Sequence, residues 1–278
     1  MEELPQLPYT LQTRKRSITI IWSALIVVTS IQVEFFYFLL RYGTNSGIDN
    51  ALTVPTAILL GLSLLSMGFR TWRLLRPSFQ QTPSGGRWYG LDFFSWNMIV
   101  GFVIVTAVLS VATSEKPVNI RQASMPQAII LYLASSQLIV TGFMAAMGLK
   151  TPVRFSSTTR GSLMKPGIFV LIEDIVGVDG GGGPEFRDAL MARYETSTTF
   201  RRLVAQMNWF WGIGSMIVAV GTTVIVYIIE DLNVVFALGR NYPFDNLQRM
   251  LTENKGGVFH GYGLELVLYA RFCGLKEC

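Results

Sequence analysis

Long apolar runs, broken by short polar and basic clusters, set the character of this chain. A run of about 20 apolar residues rising 1.5 Å each crosses a hydrocarbon core of about 30 Å. Ser17 to Leu40 is the first such run, and it is long enough to tilt. The second, Leu52 to Phe69, opens with Pro55 in its first turn, where a missing N–H costs little. It closes on Arg70, Arg73 and Arg76, which are placed to snorkel toward lipid phosphates. A polar stretch around Gln80, Gln81, Pro83, Gly85 and Gly86 breaks the pattern. The third run, Phe93 to Thr113, has its interface belt marked by Trp88, Tyr89 and Trp96. Pro126 to Leu149 is the fourth and Met207 to Ile229 the fifth, introduced by Trp209, Phe210 and Trp211. The pattern predicts an all-α fold: a polytopic transmembrane helix bundle of about five spans, with a partly helical cytoplasmic loop.

The chain accordingly divides into a cytoplasmic N-terminus (1–16), four transmembrane helices (17–149), a cytoplasmic loop (150–206), a fifth transmembrane helix (207–229) and a polar tail (230–278). Lys and Arg number three before the first span, then one, four, two and eight in the successive connections, and five in the tail. Because Lys and Arg near span ends are retained on the cytoplasmic side, the alternation places the N-terminus and the 150–206 loop in the cytoplasm.

Within that loop, Ile168 to Val178 is apolar but interrupted by Glu173 and Asp174, and too short to cross; a strand-like or interfacial segment is expected. The glycines from Gly180 to Gly183 lack a following Gly-Lys-Ser/Thr and read as a flexible link rather than a phosphate loop. After them Pro184, Glu185 and Asp188 suit a helix start, and Phe186, Ala189, Leu190 and Tyr194 share one face of an amphipathic helix. Thr198 or Thr199 caps a second helix carrying Arg201 and Arg202 into the fifth span.

Composition agrees with lipid as the main solvent: half the residues are hydrophobic and 15% charged, against about 25% in soluble domains. The net charge of +5 sits in clusters beside apolar runs, which argues for membrane orientation and against a nucleic-acid partner. Cys273 and Cys278 form no disulfide framework, and His260 has no partner at metal-ligand spacing, so neither a metal nor a cofactor is expected. The first run is too long for a signal-peptide core and reads as an uncleaved helix.

Two carboxylates are candidates for catalysis. Glu34 lies within the first span, where a charge costs on the order of 2.5–3.5 kcal/mol at mid-depth; its place beyond the middle also suits the interface. Asp92 opens the third helix, where capping explains it and an electrostatic role is the alternative. Asn97, Gln137 and Asn208 are explained by interhelical hydrogen bonds. In the loop, Glu173, Asp174, Arg187 and Arg193 are candidates for binding. Small residues four apart (Ala57 and Gly61, Gly142 and Ala146, Ser215, Ala219 and Thr223) serve close helix packing, or contact with a second copy or a membrane partner.

The segment from Pro166 to Gly214, with Glu173-Asp174, Val178-Asp179-Gly180-Gly181-Gly182-Gly183, Phe186-Arg187, Ala192-Arg193-Tyr194-Glu195 and Phe210-Trp211-Gly212, resembles a group of fungal multi-pass membrane proteins of unassigned activity. The resemblance covers roughly residues 18–238 and implies no catalytic residue; such proteins sometimes accompany secondary-metabolite gene clusters. It also implies a sixth apolar helix, from which this sequence departs after Leu238, so the tail reads either as polar and lumenal or as a non-native end. Three functions are open: a non-catalytic scaffold or accessory to transport or metabolite biosynthesis, a membrane-embedded enzyme similar to acid-initiated terpene cyclases, or a transporter.

Overall fold

A computed structural model describes residues 32–44, 47–75, 91–232, 234–236 and 239. Within them the chain is helical, and α1 (Gln32–Phe38) runs into a wide π turn, Leu39–Gly43. There follow α2 (Ile48–Leu75), α3 (Phe93–Ser114), α4 (Ile120–Ala123), α5 (Pro126–Ala146), α6 (Gly167–Asp174), α7 (Gly183–Thr196) and α8 (Thr198–Ile228). Extended structure among the described residues is confined to two isolated bridges, Lys150 with Leu163 and Phe155 with Thr158. The protein is thus an all-α membrane helix bundle. Four described helices are long and apolar enough to cross: Thr53–Leu75 within α2, α3, α5 and α8. Most of the Ser17 to Leu40 run lies outside the described residues, as do Arg76, Trp88, Tyr89 and most of the tail, including His260, Cys273 and Cys278.

Several boundaries differ from expectation. α2 begins at Ile48, so Pro55 lies inside the helix and not in its first turn. α8 is one continuous helix of 31 residues. Its cap is Ser197, whose hydroxyl accepts from the Phe200 amide at 3.2 Å, rather than Thr198 or Thr199. The segment expected to be strand-like or interfacial is α6, extended by a π turn over Ile175–Asp179. Burial explains the change: Ile168, Phe169, Val170 and Ile172 are all sequestered, and a helix satisfies its own backbone groups where the described residues offer no sheet partner.

The described residues fall into two compact units, one within Leu65–Val100 and Ala134–Gly214, the other within Leu11–Leu64, Gly101–Leu133 and Ser215–Cys278. Among the described residues the second has two apolar clusters. Tyr37, Ala51, Val118, Ile120 and Phe236 form one, with the Tyr37 and Phe236 rings 4.4 Å apart. Val105, Leu109, Ala112 and Ala123 form the other. Tyr132 and Thr223 hydroxyls meet at 3.0 Å, and the Arg121 guanidinium donates to the Val226 carbonyl.

In the first unit, helix α6 is fastened to the spanning helices through its otherwise orphaned first amides. The Gly167 amide donates to Thr141 Oγ1 at 3.0 Å, and the Ile168 amide to Asn208 Oδ1 at 3.1 Å. Asn208 also donates to the Leu138 carbonyl at 2.8 Å, and Gln137 donates to Asn97 at 2.6 Å. The intramembrane amides therefore do bond between helices. Gly142 allows the close approach: a Cβ there would run into the Asn208 amide. Gly61, by contrast, has open space beside it.

Candidate functional site

The start of α3 is the anchor of a buried charge cluster. Asp92, immediately before the helix, accepts from the Ser95 amide at 2.9 Å, which is the expected cap. The Phe93 amide donates to Ser156 Oγ at 3.1 Å and the Phe94 amide to Asp174 Oδ2 at 3.1 Å. Three successive orphan amides of one helix end are thus taken by side chains from three places in the sequence, and two of the acceptors are carboxylates favoured by the helix dipole. Ser156 adopts a left-handed backbone, φ 46°, which costs on the order of 1–3 kcal/mol in a residue with a Cβ. That conformation lets its hydroxyl both receive the Phe93 amide and donate to Asp174.

Arg70, expected to snorkel, is instead buried, with 8% of its surface exposed. Its guanidinium bonds Asp92 Oδ2 at 2.6 Å, the Asp179 carboxylate, Ser95 Oγ at 3.2 Å and the Asp174 carbonyl at 3.3 Å, and lies 4.6 Å from the centre of the Phe94 ring. The reason is charge: two carboxylates lie within reach of the guanidinium, and each takes a charge-assisted hydrogen bond from a different nitrogen. Arg73, one turn on, is exposed.

A second arginine completes the cluster. Arg187 Nη1 donates to Glu173 Oε1 at 2.8 Å and to Asp174 Oδ1 at 2.9 Å, with all three side chains 1% exposed or less. Gly177 makes room for it, since a Cβ there would lie 2.8 Å from Arg187 Nε. Arg187 Nε and Nη2 and Glu173 Oε2 are buried with no hydrogen-bond partner among the described residues. Two arginines thus face four carboxylates: Asp92, Glu173, Asp174 and Asp179. Burial, then the charge of Asp92, push the Asp174 carboxyl up to about 7, with Glu173 adding to the rise and Arg187 and the Ser156 hydroxyl opposing it. The Asp174 and Glu173 carboxylates hold the Arg187 guanidinium above its ordinary value despite burial.

The glycine run that read as a flexible link is a specific turn. Gly181 and Gly183 have φ of 67° and 62°, and a Cβ on Gly182 would press on Phe186 at 2.8 Å and on the Val176 carbonyl at 3.1 Å. The turn brings α7 back so that Phe186, Arg187 and Leu190 are buried. Ala189 and Tyr194, placed on the same face by periodicity, are half-buried.

Of the residues singled out from sequence, the structure brings together Asp92, Glu173, Asp174 and Arg187. Arg193 stands apart, its guanidinium 5.7 Å from the Phe200 ring centre. Glu34 belongs to α1, and its side chain lies outside the described residues. Arg70, Ser156 and Asp179 were missed. Arg70 carried a signal: it is the first charge after an apolar run, a full turn nearer the membrane than Arg73. Among the described residues, no group of three or more His, Cys, Asp or Glu side chains is placed to hold a metal ion.

No curated protein and no solved structure matches this chain. A family described as a domain of unknown function, DUF8766, matches residues 1–250. With most of its length matched, this membrane helix bundle belongs to the DUF8766 family.

Proposed function

We propose that the protein is a non-catalytic multi-pass membrane protein, a scaffold or accessory to transport or metabolite biosynthesis, with its N-terminus in the cytoplasm. The observation behind this reading is that its buried charges are spent on one another. Arg70 and Arg187 each hold two carboxylates, and Asp92, Glu173 and Asp174 are 0% exposed. Such a cluster fixes the 150–206 loop in place and leaves α7 to present Glu185, Asp188 and Glu195 outward. An acidic, rigidly held face suits recognition of a basic partner surface. The resemblance to fungal proteins near secondary-metabolite gene clusters favours a biosynthetic setting.

Cross-linking in native membranes tests this. Reversing charge as Glu185→Lys, Asp188→Lys and Glu195→Lys together is expected to remove one or more partners while the protein inserts and accumulates as before. An unchanged set of cross-linked proteins would reject the reading.

One observation favours an acid-initiated membrane enzyme as the second reading: burial raises the Asp174 carboxyl to about 7, so that a share of it is protonated at neutral pH, as a general acid needs. In that reading Glu34 or Asp174 donates the proton and Asp92 stabilises positive charge. It ranks second because Arg70 already occupies Asp92 and Asp174 is fully enclosed. Metabolite profiles of Glu34→Gln and Asp174→Asn strains decide it.

A further inference from the structure

The first unit also holds a cavity of about 240 Å³, separate from the charge cluster, bounded by the end of α5 and the start of α8. Gly142, Ala145 and Ala146 supply small side chains along α5, and Trp209 lines α8. At the rim stand Arg201 and Arg202, both exposed, and neither is ion-paired among the described residues. Nothing in the acidic face proposed for partner recognition uses them.

The position of these residues says which solvent the cavity meets. Arginines and a tryptophan at the end of an apolar helix mark the headgroup level of a bilayer. Beside them in sequence, Phe143, Met147 and Ile213 are 57%, 58% and 49% exposed, an apolar surface suited to acyl chains. Two free guanidiniums above an apolar recess match a molecule with a phosphate at one end and hydrocarbon at the other. Guanidinium is suited to the phosphate because its planar fork gives paired, charge-assisted hydrogen bonds. We propose that this cavity binds an anionic phospholipid, with Arg201 and Arg202 on the phosphate and the upper acyl chain on the small-residue floor against Trp209. Tyr194, which closes one side, has its hydroxyl pKa raised by burial, so it stays neutral and does not repel the anion.

The full chain in nanodiscs of phosphatidylcholine and phosphatidylglycerol, released for native mass spectrometry, reports which lipids stay bound. Preferential retention of phosphatidylglycerol is expected. Arg201→Gln with Arg202→Gln should lower that retention at least roughly tenfold, the loss of one charge-assisted hydrogen bond or more. Ala145→Leu, which fills the floor and leaves both charges, should lower it as well. Arg160→Gln, an exposed loop arginine that does not line the cavity, should change nothing. Equal retention by native protein and the double variant overturns the proposal. So does displacement of the lipid by inorganic phosphate together with full retention in Ala145→Leu, the signature of a bare anion site. Should the double variant fail to fold, Ala145→Leu decides alone, and unchanged retention by it overturns the proposal.

Discussion

Arg70 Nη2 and Asp92 Oδ2 lie 2.6 Å apart, with 8% and 0% of their side chains exposed. Asp92 meanwhile caps α3 through its other oxygen. One carboxylate therefore joins the end of one spanning helix to the start of the next, and removing its counter-charge is worse than removing both.

Arg70→Met leaves Asp92 buried beside no guanidinium and is expected to destabilise the protein by about 3–5 kcal/mol. Asn keeps the cap of α3, so adding Asp92→Asn to Arg70→Met should recover a large part of that loss. Thermal unfolding in detergent micelles measures both. Additive losses from the two single variants would show that the pair is not coupled.

Asp174 sets a pH dependence of unusual sign for a carboxylate. Its carboxyl is raised from an ordinary 3.8 to about 7 in the folded protein, so between these values the folded state holds a proton that the unfolded state has lost. Stability from this group is therefore greatest below about 4 and declines as pH rises through 7, above which the slope vanishes. Asp174→Asn should remove the decline between pH 5 and 8. Unfolding midpoints across that range that fall equally in both proteins would place the titration elsewhere.

Gly177→Ala sets a methyl group 2.8 Å from Arg187 Nε, and two carboxylates prevent that guanidinium from moving aside. A loss of about 1–3 kcal/mol is expected from the overpacking. Gly68→Ala is the matched control, with nothing within 4 Å of the new carbon and a better helix former gained. Denaturation midpoints of the two variants should move in opposite directions.

The spanning helices were legible in the sequence because a 20-residue apolar run has few other stable homes. α3 and α5 match their runs to within a few residues. What escaped was the identity of partners far apart in the chain. Asp92 could be read as a cap from its position alone, but its pairing with Arg70 depends on how two helices return to each other. Glu173 and Asp174 looked like an interruption of an apolar stretch. Periodicity placed them in a segment too short to cross, and it could not show that Arg187, 13 and 14 positions later, folds back over them. Ser156 gave no local signal, since its strained backbone is sustained by Phe93 and Asp174, which lie 63 and 18 positions away.

Arg70 also imposes an order on synthesis. Its first partner, Asp92, is translated 22 residues later, but Asp174 and Asp179 follow at 104 and 109 residues. At about 5–20 residues per second, the ribosome delivers them roughly 5–20 s after the arginine. For that interval Arg70 has Asp92 as its one carboxylate, and its remaining donors lack the Asp174 carbonyl and the Asp179 carboxylate. A chaperone or translocon that shelters α2 and α3 until the loop arrives would govern how much protein survives, and synonymous codons that slow translation between 92 and 174 would lower yield without altering a single side chain.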